Sequence, residues 1–139
     1  MADLGESLRA LLLADATVLA SVGSRIIPDQ LAQGESLPAI VYRVIDTTHY
    51  HDITGPNAGI ARSRVTIECF ADTRAAANTL AEAVRNSGIR TWSGDAYGVD
   101  VRSVEIDSGA YYFAEQPSDG THEFRYGVSV DYAFHYVET

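Results

Sequence analysis

The chain has 139 residues, of which 46% are hydrophobic and 21% are charged, and its formal net charge at pH 7 is −9. This length and composition predict one globular domain, spanning residues 1–139, with enough apolar material for one core. The acidic balance argues against a protein that grips nucleic acid by its phosphates, because such binding depends on clustered Lys and Arg. No apolar run approaches the roughly 20 residues that cross a bilayer, so we expect no membrane contact.

The chain begins with an amphipathic segment. Asp3 is predicted to cap a helix over residues 3–14, with Glu6 in the capping-box position and leucines along one side. These acidic residues precede the apolar part, where a signal peptide carries positive charge. We therefore expect a helix of a cytoplasmically made protein. A shorter helical turn at 16–21 and a short strand at 25–27 are predicted to follow.

The central part of the chain predicts two strands, 39–47 and 61–71, from alternating apolar and polar residues. The segment 48–59 that joins them is too long for a tight hairpin turn. The single cysteine, Cys69, lies at an inward position of the second strand. A small buried hydrophobe is therefore favoured over a nucleophile at this position.

The remaining elements complete a fold class. A helix is predicted over residues 73–88, capped by Asp72, and a strand over 97–108. The alternation of that strand changes phase near residues 102–103, which predicts a bulge. The element order predicts an α+β fold, with a mostly antiparallel twisted sheet and helices packed on one face.

The last segment, 122–136, has an apolar or aromatic residue at every second position after His122. This alternation predicts one β-strand. At about 3.3 Å per residue it would reach nearly 50 Å, well over twice the usual strand length. The composition of the strand alone does not explain this length.

No pattern in the sequence predicts catalysis. His49, His51 and Asp52 lie within one short stretch and could bind Zn²⁺ weakly, but functional sites recruit a distant ligand and a second shell of contacts, so a polar loop is favoured. No nucleophile motif or phosphate loop is present, and Glu105 and Asp107 are expected to be solvated. We therefore predict no metal, no cofactor and no enzymatic activity.

Three stretches resemble the tail-completion, or tail-terminator, proteins of long-tailed phages and gene transfer agents. They are LRALLLADATVLASVGSRIIPDQLAQGESLPAIVYRVI, VTIECFADTRAAANTLAEAVRNS and VRSVEIDSGAYYFAEQPSDGTHEFRYGVSVDYAFHY. Together they span nearly the whole chain, and their order and spacing carry the resemblance. The segment 48–59 is longer than in many relatives. The family has no catalytic residues, so the resemblance implies no active site.

The resemblance implies a tail-terminator-like fold and a homo-oligomeric ring, usually a hexamer, at the head–tail joint of a virion or phage-like particle assembled in the host cytoplasm. The ring would cap the tail tube protein, end tail elongation and join the tail to the head connector or neck protein. DNA would only pass through the lumen, where acidic groups facing the hole would repel its phosphates. The alternatives are another neck or tail-tube component, and a small cytosolic domain that binds a metabolite or acts as a hydrolase.

A ring of identical subunits uses a head-to-tail interface. The last strand would then extend past its own domain and place its aromatic residues at a subunit boundary; alternatively, Gly127 lets it bend and those residues belong to one internal core. Two arginines flanking segment 48–59 would pair with a partner's acidic groups, or are simply exposed. The interface candidates are His49, Tyr50, His51, Asp52, Arg62, Arg64, Tyr111, Tyr112, Tyr132, Phe134 and Tyr136.

Overall fold

Along the described chain two helices are followed by three strands, a third helix and two more strands. This is an α+β fold, which confirms the predicted class. The computed structural model describes residues 3–31, 36–50, 59–115 and 124–137. The helices are α1 (Leu4–Leu13), α2 (Ala16–Val22) and α3 (Arg74–Arg85), followed by a 3₁₀ turn (Ile89–Thr91). The strands are β1 (Ile26–Pro28), β2 (Ala39–His49), β3 (Ile60–Ala71), β4 (Val101–Glu115) and β5 (Arg125–Val137).

Side chains at the helix starts explain where the helices begin. The carboxylate of Asp3 accepts a hydrogen bond from the Glu6 backbone N–H at 2.8 Å, as predicted for α1. At α3 the cap is Thr73, whose hydroxyl accepts from the Ala76 N–H at 3.1 Å. The prediction of Asp72 as this cap is wrong by one residue, because Thr73 is the last residue with extended backbone. No helix in the described parts of the chain is both long and apolar enough to cross a membrane.

The five strands form one sheet in the order β1-β2-β3-β5-β4. Only β1 and β2 run parallel, and the three long pairs are antiparallel. The last strand, β5, is central: it pairs with β3 on one side and with β4 on the other. The interpretation in which this strand overhangs its own subunit and offers an edge to a neighbour is therefore wrong. The two strands beside β5 are similarly long and pair with it along its length.

The three helices pack on one face of the sheet and enclose the main core. Leu8 and Leu12 of α1, Val84 of α3, and Val65 of β3 are all buried there. Alternate residues of a strand point to opposite faces, so the side chains next to Val65 point away from the helices. That second face carries a small apolar cluster at one end, around Phe70, and is otherwise mostly polar.

Strand β4 forms the outer edge of the sheet and is irregular. Its register with β5 shifts between Val101 and Ser103, where the bulge was predicted, and shifts twice more before Tyr111. Bulges bend the strand that contains them and change its local twist. The strand predicted over 97–108 starts later than expected, at Val101, and continues to Glu115.

Candidate assembly surface

The outer edge of the sheet exposes two of the predicted tyrosines. Among the described residues no strand pairs with the outer side of β4, where Gly94 forms a single bridge with Val101 at the start of the strand. Tyr111 is 67% exposed and Tyr112 is 43% exposed. The Tyr112 hydroxyl donates to Asn78 Oδ1 at 3.0 Å, and the Arg74 guanidinium lies 4.8 Å from the centre of its ring. Exposed rings on an unpaired edge are the kind of surface that binds another protein.

A groove of about 170 Å³ separates β4 from α3 on the helix-bearing face. Its walls are mostly apolar, with one arginine and one glutamate from the end of α3. We call it the α3–β4 groove. Its lining includes Ala81, Glu82, Arg85, Ile106, Tyr112 and Val130.

The opposite side of the sheet also has an incomplete edge. Strand β1 covers β2 only from Ile40 to Tyr42, so residues 43–49 of β2 have a strand neighbour on one side alone within the described chain. Val44 and Ile45 are each 46% exposed along this stretch.

Two of the predicted contact residues lie at the end of this edge, where segment 48–59 begins. His49 and Tyr50 are exposed at and just beyond the end of β2. The Tyr50 N–H donates to the Ile60 carbonyl at 3.3 Å, which holds the two strands together at this end. His51 and Asp52 lie outside the described residues. The hypothesis of a weak metal motif and the contact role of these two residues therefore stay predictions.

A second groove, of about 530 Å³, lies between the start of α1 and β2. Three carboxylates line it, from Asp3, Glu6 and Asp29, and we call it the acidic groove. Tyr42 also lines it and is only 7% exposed. Burial raises the pKa of Tyr42, and nearby Arg9 opposes that shift. The groove therefore combines negative charge with a largely buried tyrosine.

The two arginines flanking the predicted loop bind carboxylates of their own chain. Arg62 donates to Asp107 at 2.8 Å, while Arg64 lies 3.2 Å from Asp46 and 3.9 Å from Asp107. These ion pairs join β2, β3 and β4 across the polar face of the sheet. Neither of the two predicted roles, a contact to a partner or a merely exposed arginine, anticipated this internal network. A partner's carboxylate would have to displace these pairs.

The polar face also contains a buried carboxylate. Glu68 of β3 forms an ion pair with Arg43 of β2. Burial raises the pKa of Glu68 above its usual value, while the charge and hydrogen bond of Arg43 lower it. Because burial is the larger effect, the fold disfavours the ionised form of this side chain.

Replacing Glu68 with Gln is expected to raise the free energy of unfolding at neutral pH. A carboxyl whose pKa is raised on folding loses stability as pH rises from the unfolded to the folded value, and the amide avoids that loss. The gain should therefore shrink as pH is lowered toward 4. Chemical denaturation at several pH values measures it, with the exposed Glu105→Gln as the matched control. A Glu68→Gln variant that is less stable at pH 7 would contradict the direction of the pKa shift.

The aromatic residues of the last strand divide between core and surface. Tyr132 and Phe134 are fully buried in the main core of the subunit, and burial raises the pKa of Tyr132 to about 12. The prediction that these two residues lie at an intersubunit surface is therefore wrong. They belong to the internal core of one subunit, which was the alternative interpretation. Tyr136 is half-buried, lines the acidic groove and lies within 3.0 Å of the Ser63 hydroxyl.

Neither groove was predicted from the sequence. The acidic groove lies between the first helix and residues of β2 that are more than thirty positions away. The α3–β4 groove lies between a helix that packs on β5 and a strand that pairs with β5. Only the paired strand order brings these segments together. The capping residues Asp3 and Glu6 were recognised, but their helix-start role gave no sign that they also line a groove.

Comparison with known proteins identifies a family that matches most of the chain. A model of the family "Tail completion protein gp17" matches residues 6–110. The chain belongs to this family. The match includes α1 to α3, the first three strands and most of β4. It confirms the resemblance drawn from the three sequence stretches.

A solved structure shares the fold of this tail completion protein. It is a chain from the "Virion of native gene transfer agent (GTA) particle", with a TM-score of 0.71 and 16% sequence identity, and the match covers 97% of this chain and 95% of that chain. The comparison with curated protein sequences gives no match. Family membership makes the chain a structural protein of a phage-like tail, of a family not known for catalysis.

Proposed function

We propose that the protein is a tail terminator, whose copies form a ring, usually hexameric in the family, that caps the finished tail tube. The ring ends tail elongation, joins the tail to the head connector or neck protein, and lets DNA pass. The observation that carries this proposal is that the sheet has two exposed and different edges, β4 and residues 43–49 of β2. A ring of identical subunits needs two different patches that meet head to tail.

The charge of the chain supports passage of DNA without binding. The net charge is −9 per copy, and a ring multiplies it by the number of subunits. The arginines Arg62 and Arg64 on the polar face are occupied by carboxylates of the same chain. Phosphates bind where free Lys and Arg cluster, so this surface should not hold DNA as it passes.

The exposed aromatic residues supply candidate contacts with the other proteins of the joint. Tyr111 and Tyr112 on β4, and His49 and Tyr50 at and just beyond the end of β2, lie on the surface of the folded chain. Aromatic residues are enriched where proteins bind each other. We assign the tail tube protein and the head connector as the partners, in a particle assembled in the host cytoplasm.

Deleting the gene should produce overlong tails that lack heads, because nothing then stops tube growth or joins the head. Electron microscopy of lysates measures tail length and head attachment. A complementing wild-type copy should restore normal particles, whereas a copy with Tyr111→Ala and Tyr112→Ala should restore fewer. Thr17→Ala, at an exposed position of α2, is the matched control and should complement fully. Normal, headed particles after deletion would end the proposal.

A further inference from the structure

We infer that neighbouring copies share one continuous β-sheet, in which β4 of one copy pairs antiparallel with residues 43–49 of β2 of the next. The α3–β4 groove of the first copy then faces the acidic groove of the second. This inference rests on the proposed ring and specifies the interface that closes it. The partner at both edges is a second copy of this chain.

The directions of the strands fit this pairing. Strand β2 is antiparallel to β3, β3 to β5, and β5 to β4, so β4 runs opposite to β2 within one copy. Copies that repeat side by side with the same face outward keep these directions. Strand β4 of one copy therefore meets β2 of the next in the antiparallel sense, as in the three long pairs inside the subunit. Adding a strand to an open sheet edge is a common mode of protein association.

The exposed apolar residues at the two edges of the sheet lie at the same level along the strands. Val44 pairs with Val65, Val65 with Tyr132, and Tyr132 with Ile106. Val44 and Ile106 thus lie at opposite ends of one row across the sheet, on the helix-bearing face. Val44 is 46% exposed and Ile106 is 39% exposed. A neighbour placed in line would bring them together as a cross-strand pair, which stabilises a sheet.

The charges beside that row are opposite in sign. Val44 lines the acidic groove, with Glu6 among its carboxylates. Ile106 lines the α3–β4 groove, whose lining includes both Arg85 and Glu82; these two form a long 3.8 Å ion pair and are each about half exposed. In the inferred interface Arg85 of one copy approaches the acidic groove of the next. Complementary charge fixes the choice and register of a partner more than it adds affinity.

A two-fold pairing of β4 with β4 is the main competing arrangement. It would bring two Arg85 side chains toward the same interface and leave the acidic groove without a cation. It would also leave residues 43–49 of β2 unpaired and close a dimer rather than a ring. Open edges are a hazard that native proteins usually cover, and the head-to-tail pairing covers both edges at once.

Single-cysteine variants distinguish these arrangements. Within one copy Val44 and Ile106 are three strand spacings apart, roughly 14 Å, which is beyond disulfide reach. Oxidising a mixture of Val44→Cys and Ile106→Cys should give a disulfide-linked dimer, while each variant alone should give none. A second mixture combines Val44→Cys with Val104→Cys in place of Ile106→Cys. It detects a register of the two strands that is shifted by two residues, because such a shift keeps the same side chains on the same face. The native Cys69 is buried and serves as the unreactive background.

A double variant with Val44→Cys and Ile106→Cys should give a ladder of linked species, both as purified protein at high concentration and in particles. Links formed by Ile106→Cys alone would establish the two-fold arrangement and overturn the inference. The absence of links in both mixtures and in particles would also overturn it. If mass measurement or particle images still showed a ring, the proposed function would stand while this interface would not.

The charge contact has its own test. Arg85→Glu in the Ile106→Cys chain should lower the yield of the mixed disulfide at least about fivefold, and Glu6→Arg in the Val44→Cys chain should restore it. Arg90→Glu is the matched control, because it reverses an exposed charge in the 3₁₀ turn that follows the same helix, and its side chain is not part of the lining of either groove. It should change the yield little. An equal loss from both reversals, or no rescue by Glu6→Arg, would contradict the pairing of Arg85 with the acidic groove.

Discussion

Replacing Phe134 with Ala is expected to lower the free energy of unfolding by about 3–5 kcal/mol. The side chain is fully buried, and its ring meets the Trp92 ring edge-on with 5.8 Å between centres. Truncation removes buried apolar surface and leaves a cavity that the paired strands around it cannot fill. Urea denaturation followed by far-UV circular dichroism measures the loss without relying on the nearby tryptophan as a probe.

The matched control is Tyr111→Ala, an aromatic truncation on the edge of the same sheet. Its side chain is largely solvent-exposed, so the unfolding free energy should change by no more than about 0.5 kcal/mol. The opposite pattern, in which Phe134→Ala leaves unfolding unchanged but dissociates an oligomer, would contradict the core placement. It would return Phe134 to a subunit boundary.

Replacing Gly127 with Ala is expected to cost about 1–3 kcal/mol, although alanine is less flexible and would ordinarily suit a strand better. Gly127 lies opposite Phe113 on β4 and Phe70 on β3. A Cβ at this position would come within 2.3 Å of the Phe113 ring. That ring also meets Phe70 edge-on at 5.6 Å, so moving it aside loses a packed aromatic pair.

A double-mutant cycle with Phe113→Ala tests this explanation. The cost of Gly127→Ala should largely disappear when the ring is absent, which gives a coupling energy of about 1 kcal/mol or more. Gly109→Ala is the matched control, since a Cβ there meets nothing within 4 Å. If Gly127→Ala stabilises the protein, or costs the same in both backgrounds, the close approach of Phe113 is not what requires glycine.

The local features of the fold could be predicted from the sequence. Asp3 at the first helix start, the bulge after Val101 and the alternating faces of β3 each depend on residues close together in the chain. The α+β class followed from the order of these elements. The one cap that was misplaced, Asp72 for Thr73, reflects two adjacent residues with the same capping chemistry.

The long-range features could not be predicted in this way. Alternation in the last strand showed that Tyr132 and Phe134 share a face, but not whether that face packs on helices of the same chain or on another subunit. An overhang is one of the two interpretations that the length of this strand allows, because the sequence does not show that β3 and β4 flank it. In the same way, Arg62 gave no sign of its carboxylate partner 45 positions later.

We propose that copies of this chain form a ring at the end of the tail tube. Cryo-electron microscopy of purified particles from cells that make this protein tests it most directly. We expect density for this fold in a closed ring between tube and head connector, with β4 of each copy beside β2 of the next. Density for the chain as separate copies elsewhere in the particle, or particles that lack the chain, would contradict the account.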